Sequence, residues 1–465
     1  MAGDIRDKIV LAVTAFVVLT AAIMMQPEKR LSDFDQSFYL TIAYDLDRHG
    51  VFSNGVFDKT DSTIAAPRPG MFFVPLYPAL VLAAMKIDRR FAAAAACSVE
   101  SIQGHRDEAT CDIYARPLLI IHALLLALGV LAIAIASELM FGRKSLFWLA
   151  GVFATASLAT ESEIFSYIMT ESLTFSLYSF STLALVLGWK TARSRDFILA
   201  GCLLGLLCLT RPSFLVIVPV VAALILLNGW LSSARRKSVW TQLAAFSITF
   251  AILLGAWVTR NAILVGKIGL TEEYGSAVLI ERFAYNDMTP RELVTAFPYC
   301  TPGIGDLAFD LIYGTDSMHR FVFHTRDSFF HIGRGRRDTL VKQYEHLDPL
   351  IGNVVREQMR ENWWRHLLVS IPLGWCGMWV GWIWSLAFIP LFGFAGVCAV
   401  RRRQPLLLLY AVPAIVMLAL HALVANHYTR YNLILIGPYA VGAAWVMHEW
   451  IANWRSRARA VAPVP

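Results

Sequence analysis

Ten apolar runs alternate along the chain with short basic clusters and two long polar segments. The runs occupy 9–25, 117–137, 145–160, 170–189, 197–210, 213–230, 242–258, 378–400, 405–425 and 431–450. A helix needs about 20 mostly apolar residues to cross a hydrocarbon core roughly 30 Å thick, so the pattern predicts an all-α, polytopic membrane protein. The basic clusters "FGRK" (141–144), "KTARSR" (190–195), "ARRK" (234–237), "RRR" (401–403) and "RSRAR" (455–459) fall at alternate run ends, and Arg6 and Lys8 precede the first run. The positive-inside rule puts them all in the cytoplasm, which predicts about ten spans with both termini inside. The first run has no small-residue cleavage site behind it and is expected to stay attached as the first span.

Two places decide this threading. As one helix, the nearly continuous run 197–230 would be about 50 Å long, too long for a single crossing. It is expected to break at "TRPS" (210–213), because Pro212 disfavours helix at Arg211 and a guanidinium at mid-membrane costs ~3 kcal/mol or more. The short run 71–85 contains Pro75 and Pro78 and is expected to be re-entrant or to lie along the interface, where neighbouring protein satisfies freed backbone groups. The resulting organisation is a transmembrane module over 1–260 with a large outer loop at 26–116, an extracytoplasmic subdomain over 261–366, and C-terminal transmembrane helices over 367–465. The subdomain is expected to end in an amphipathic surface helix near 355–368.

Composition agrees: 57% of the 465 residues are hydrophobic and only 16% charged. The net charge of +7 sits in the clusters between runs, not in a nucleic-acid-binding stripe. No Walker loop, GxSxG elbow or Rossmann fingerprint is present. The seven cysteines lack metal-ligand spacing. Cys202, Cys208, Cys376 and Cys398 lie in apolar runs and read as packing residues. Cys97 and Cys111 lie in the outer loop, where a disulfide persists, and are expected to be bonded. His319, His324 and His331 fit no metal motif and read as solvated or locally bonded. The "TEEY" stretch (271–274) reads as a surface turn, its alternative being a divalent-ion site; no cofactor is otherwise implied.

The stretch "SDFDQSFYLTIAYDLDRHG" (32–50) places carboxylates directly after the first span. From Asp35 onward it predicts a helix with an apolar stripe of Phe38, Ile42 and Leu46, and Tyr39 one turn beyond Asp35. Asp33 or Asp35 as a simple helix cap is the competing reading.

Together with "APRPGMFFVPLYPALVLAA" (66–84), this stretch resembles the first outer loop of the GT-C superfamily of membrane glycosyltransferases. The similar branch holds the protein O-mannosyltransferases and lipid A aminoarabinose transferases. The likeness continues in order through "MTESLTF" (169–175), "GCLLGLLCLTRPS" (201–213), "AWVTRN" (256–261) and "HYTRYNLILIGPYAVGAAW" (427–445). It covers most of 1–450, while 285–350 matches no part of the family pattern. Many members carry Asp-Glu where this chain has Asp35 and Gln36.

The resemblance implies a multi-pass enzyme of the bacterial inner membrane with its site on the periplasmic side. It would move a sugar from a polyprenyl-phosphate donor to a hydroxyl of an envelope lipid, glycan or protein. Asp35 would be the general base, with Asp33 the alternative. Arg211, Arg260, Arg68 and Arg430 would hold the donor phosphate, which guanidinium groups bind in bidentate fashion. Tyr39 and Glu171 would serve the acceptor or the structure. The rival class is a transporter of lipid-linked sugar or lipid, which would carry inverted repeats and a mid-membrane site.

Overall fold

The computed structural model describes residues 2–33, 35–55, 67–231, 238–272, 274–307, 309–314, 318–323, 325–344, 348–425 and 428–461. Among them there is no strand, and the chain is an all-helical protein. The first part comprises α1 (Ala2–Met24), α2 (Gln36–His49), α3 (Leu76–Ile87), α4 (Arg89–Ile102), α5 (Arg116–Phe141), α6 (Lys144–Thr160), the single turn α7 (Ser162–Phe165), α8 (Glu171–Thr191), α9 (Ser194–Cys208), α10 (Ile217–Leu231) and α11 (Val239–Leu264). A run of shorter elements follows: α12 (Tyr274–Phe283), α13 (Pro290–Cys300), α14 (Ile304–Leu307), α15 (Phe309–Tyr313) and α16 (Phe329–Tyr344). The long α17 (Asp348–Gly377), α18 (Ile383–Arg401), α19 (Pro405–Val424) and α20 (Ile436–Val461) complete the chain.

Seven helical stretches among the described residues are long and apolar enough to cross a membrane: Ile5–Met24, Arg116–Phe141, Glu171–Thr191, Pro212–Trp230, Val239–Leu264, Ile383–Arg401 and Pro405–Val424. The expected runs at 145–160 and 197–210 form α6 and α9, whose 17 and 15 residues reach about 26 and 23 Å. The α3 helix has 12 residues and spans about 18 Å, too short to traverse the core. The run 197–230 breaks at "TRPS": α9 ends at Cys208 and a 3-10 turn from Pro212 to Val216 leads into α10.

Side-chain bonds gather the basic helix ends at one end of the bundle. Lys144 pairs with Asp7, Lys190 donates to the Leu139 carbonyl, and Gln242 Nε2 donates to Ala192 O at 3.1 Å. Ser145 meets His448 at 2.9 Å, and Arg402 Nη1 pairs with Glu449 at 2.5 Å. Each α8 terminus therefore has a distinct role, since Lys190 closes this basic end and Glu171 opens the other. The α8 helix is buried along most of its length and forms the axis of the main core. The cluster "ARRK" (234–237) lies outside the described residues.

A second, smaller core covers the segment for which the sequence supplied no pattern. Tyr285, Phe309, Phe321 and Phe329 pack with Val369 and Leu373 of α17 and with Ala422 of α19. Arg282, wholly buried on α12, locks this unit to the bundle. It donates to Ala422 O at 2.9 Å, Ser370 Oγ at 2.9 Å, Asn286 Oδ1 at 3.2 Å and His366 O at 3.4 Å. Burial pushes the guanidinium down to about 10, so it stays charged at neutral pH.

Two expectations change here. The helix expected near 355–368 belongs to the longer α17, which kinks at Asn362 (φ −133°, ψ 20°). Past the kink, Trp363, Trp364, Leu367, Leu368 and Ile371 make an exposed apolar stripe with helical spacing. The packing role expected of Cys376 is corrected as well: it is bonded to Cys300, because the second core lays the end of α13 against α17. Cys97 is bonded to Cys111, and Cys202, Cys208 and Cys398 are free.

Two outcomes follow from this architecture. Alkylation without reductant, read by peptide mass spectrometry, should label Cys202, Cys208 and Cys398 after denaturation but spare Cys97, Cys111, Cys300 and Cys376. Arg282→Leu should strand buried acceptors from α17 and α19 and cost ~2–4 kcal/mol, read as a lower thermal unfolding midpoint in detergent.

Candidate functional site

At the end of the bundle away from the basic clusters, loop and helix termini enclose a cavity of about 320 Å³. That volume lies at the lower end of the range for small-molecule sites. Asp35, Tyr39, Glu171, Arg211 and Arg430 all line it. They come from elements far apart in the chain: the start of α2, the start of α8, the break after α9, and the 3-10 segment Thr429–Leu435 before α20.

The two carboxylates each face a guanidinium. Arg211 Nη2 donates to Glu171 Oε1 at 3.1 Å, with Glu171 only 3% exposed. Glu171 occupies the first turn of α8, where the helix dipole favours negative charge, and its Oε2 has no hydrogen-bond partner among the described residues. Arg430 Nη2 lies 3.6 Å from Asp35 Oδ2, longer than a charge-assisted hydrogen bond. Asp35 is 45% exposed and keeps open acceptor capacity. Both guanidinium groups lie over the Tyr431 ring, Arg211 at 5.3 Å and Arg430 at 5.1 Å from its centroid. One aromatic ring is thereby shared by both cations.

The capping reading of Asp35 does not hold. It occupies the N-cap of α2 with helical φ and ψ, and its side chain makes no capping bond. Gln36 does the positioning: its Nε2 donates to Arg30 O at 3.0 Å and Asp33 O at 3.2 Å, while its Oε1 accepts from Ile168 N at 2.8 Å. This amide ties the start of α2 to the segment leading into Thr170 and Glu171. A carboxylate there could accept from Ile168 but could not donate to the two carbonyls. Tyr39, buried one turn later, packs edge-on against Tyr77 at 4.9 Å and tilted against Phe73 at 5.2 Å.

Three other expected site residues sit elsewhere. Arg260 does not line the cavity; it donates to Gly70 O, Phe52 O and Asn261 Oδ1, with the rings of Trp257 and Phe52 at 4.9 and 5.4 Å. Its hydrogen-bonding capacity goes into closing the outer loop, where Gly70 allows close approach: a Cβ there would lie 2.1 Å from Asn54 Oδ1. Arg68 is exposed and outside the cavity lining. Asp33 is also outside it, engaged through its carbonyl by Gln36.

Sequence reasoning missed Tyr274, His421 and Tyr431, which complete the walls. Tyr274 stood inside the quoted "TEEY" and Tyr431 beside Arg430, so adjacency was the available signal. Burial pushes the Tyr39 and Tyr274 phenols up, which keeps both neutral hydrogen-bonding groups at ordinary pH. Of the carboxylates in "TEEY", Glu272 pairs with Lys267, and Glu273 lies outside the described residues. No group of three or more metal-ligating side chains is present among the described residues. His319 pairs with Asp327 at 2.6 Å, and His324 lies outside the described residues.

In chemical terms, the cavity offers one accessible carboxylate acceptor, two fixed cations and neutral phenols. Apolar residues share the lining: Val216 near the start of α10, and Leu420 and Val424 at the end of α19. Gln36→Ala should strand the buried Ile168 N–H at a cost of ~1–3 kcal/mol, whereas Asp33→Asn should stay within about 0.5 kcal/mol of the parent. Thermal unfolding in detergent distinguishes the two. No protein-family model matches this chain, and no curated protein does.

Proposed function

We propose that this protein is an integral membrane glycosyltransferase that takes a sugar from a polyprenyl-phosphate donor and places it on a hydroxyl of an envelope acceptor. The observation that carries the reading is the convergence of Asp35, Glu171, Arg211 and Arg430 on one cavity from four separate parts of the chain. The GT-C-like motifs supply these same residues, and no local sequence constraint requires them to meet.

In the proposed reaction the acceptor oxygen attacks the anomeric carbon while its proton passes to the Asp35 carboxylate. The bond from that carbon to the phosphate oxygen breaks, and its electron pair leaves with the lipid phosphate. Arg211 and Arg430 stabilise the charge that develops there. A single displacement inverts the anomeric centre. Unlike glycoside hydrolysis, this step needs no acid for the leaving oxygen, because a phosphate departs as a stable anion. The apolar part of the lining suits a donor whose phosphate is attached to a hydrocarbon chain.

Arg260 and Arg68 have no part in this scheme. Arg260 keeps the outer loop closed through the Phe52 and Gly70 carbonyls. The proposed setting is a bacterial inner membrane crossed about ten times. The basic helix ends face the cytoplasm and the cavity faces the periplasm, as the positive-inside rule requires.

Comparative mass spectrometry of envelope glycans and glycolipids tests the reading in host cells carrying the parent protein, a deletion, or Asp35→Asn. Loss of one defined sugar mass in both altered strains is expected. An unchanged profile with folded Asp35→Asn would remove Asp35 as the base, and an unchanged profile in the deletion would remove the enzyme reading.

A further inference from the structure

A second concave region lies on the other side of α12. It has a volume of about 1040 Å³ and is bounded by α12, the 3-10 turn Ala284–Asp287, α16 and α17. Tyr274, Gly275 and Val278 of α12 line the first cavity, while Ile280 and Phe283 line this cleft. Val278 and Ile280 are about 200° apart around the helix, so α12 is a single wall with a site on each face. The lining charges balance: Asp287 and Glu357 against Arg336 and Arg365. Arg336 Nη2 pairs with Asp287 Oδ2 at 2.5 Å, and Arg365 donates to the carbonyls of Asn286 and Met288.

One buried group there lacks a partner. Asn286 is 5% exposed and lines the cleft. Its Oδ1 accepts from Arg282, while its Nδ2 has no partner among the described residues. A buried amide donor left unsatisfied is unfavourable, and a ligand oxygen that pressed into the cleft wall over it would satisfy it. Around it, Gln358, Asn362 and Thr339 add uncharged donors and acceptors over an apolar floor that includes Phe283 and Val354.

We infer that this cleft binds a neutral saccharide chain. Balanced charge gives no advantage to phosphates or polyanions. Mixed amide, hydroxyl and carboxylate groups match ligand hydroxyls that both donate and accept. The apolar floor suits the C–H faces of sugar rings. The volume exceeds that of a typical small-ligand site and accommodates several rings. The inference rests on the proposed transfer reaction in one respect: it makes this chain the acceptor, held on one face of α12 while its end reacts on the other. The chemistry of the cleft stands without that reading.

Gly335 provides a selective test. It lies on α16, lines the cleft and is exposed, and a Cβ there meets no atom within 4 Å. Gly335→Trp therefore fills the cleft without disturbing the fold, and Gly335→Ala is its control. The probe is the neutral oligosaccharide fraction released by mild acid from the host's own envelope, fluorescently end-labelled and titrated against the full-length protein in detergent by anisotropy. Saturable binding by the parent, Gly335→Ala and Asp35→Asn is expected, with about ten-fold or greater weakening by Gly335→Trp at an unchanged unfolding midpoint. Undiminished binding by Gly335→Trp, or no binding by the parent, would overturn the inference. If Gly335→Trp fails to fold, Gln358→Ala with Thr339→Val replaces it under the same criterion. Cleft binding together with an unchanged glycan profile in Asp35→Asn cells would defeat the proposed base while leaving the cleft assignment standing.

Discussion

A guanidinium group does not shed its charge at ordinary pH, so every arginine drawn into the bundle end must bring acceptors with it. Much of this architecture follows from how that requirement is met. Arg282 satisfies it with two backbone carbonyls, a serine and an asparagine, and thereby joins α12, α17 and α19. Arg260 satisfies it with two carbonyls of the outer loop and a neighbouring asparagine side chain, so its charge is spent on loop closure. Arg211 and Arg430 instead face carboxylates inside a cavity. Only that second solution leaves groups that a ligand can re-pair.

The cavity is therefore balanced before anything enters it. Two acids offset two bases, and both cations lie over the Tyr431 ring. The two pairs are unequal: Glu171 and Arg211 are largely buried and hydrogen-bonded, while Asp35 and Arg430 are more exposed and farther apart. In the proposed reaction, a donor phosphate would meet its least resistance at Arg430 and leave Asp35 free to act as the base. Two pairs that look equivalent in the sequence thus differ in burial and in hydrogen bonding.

The α12 helix links stability to chemistry. Its Arg282 anchors the second core, Tyr274 and Val278 wall the cavity, and Phe283 floors the cleft beyond. Movement of this ten-residue helix would alter both concave sites together. The Cys300–Cys376 bridge ties the same unit to α17 covalently.

The all-helical membrane architecture was legible because apolar length and helical period are local signals, and the break at Arg211-Pro212 is written in backbone sterics. Five of the candidate polar residues, Asp35, Tyr39, Glu171, Arg211 and Arg430, were singled out by the motifs that carry the resemblance and by the side of the membrane the threading gives them, and these five line one cavity. What the sequence could not carry was how each polar group is spent. Arg260 and Arg211 occupy similar positions at run ends, yet one is consumed by carbonyls from 52 and 70 and the other faces a cavity. Gln36 looked like a departure from a pattern and proved to be the amide joining 30–36 to 168. Cys376 looked like packing until the second core brought it to Cys300. Hydrophobic periodicity reports each helix against an average environment. Partner choice depends on which termini the packed bundle brings within 3 to 4 Å, and only the tertiary structure decides that.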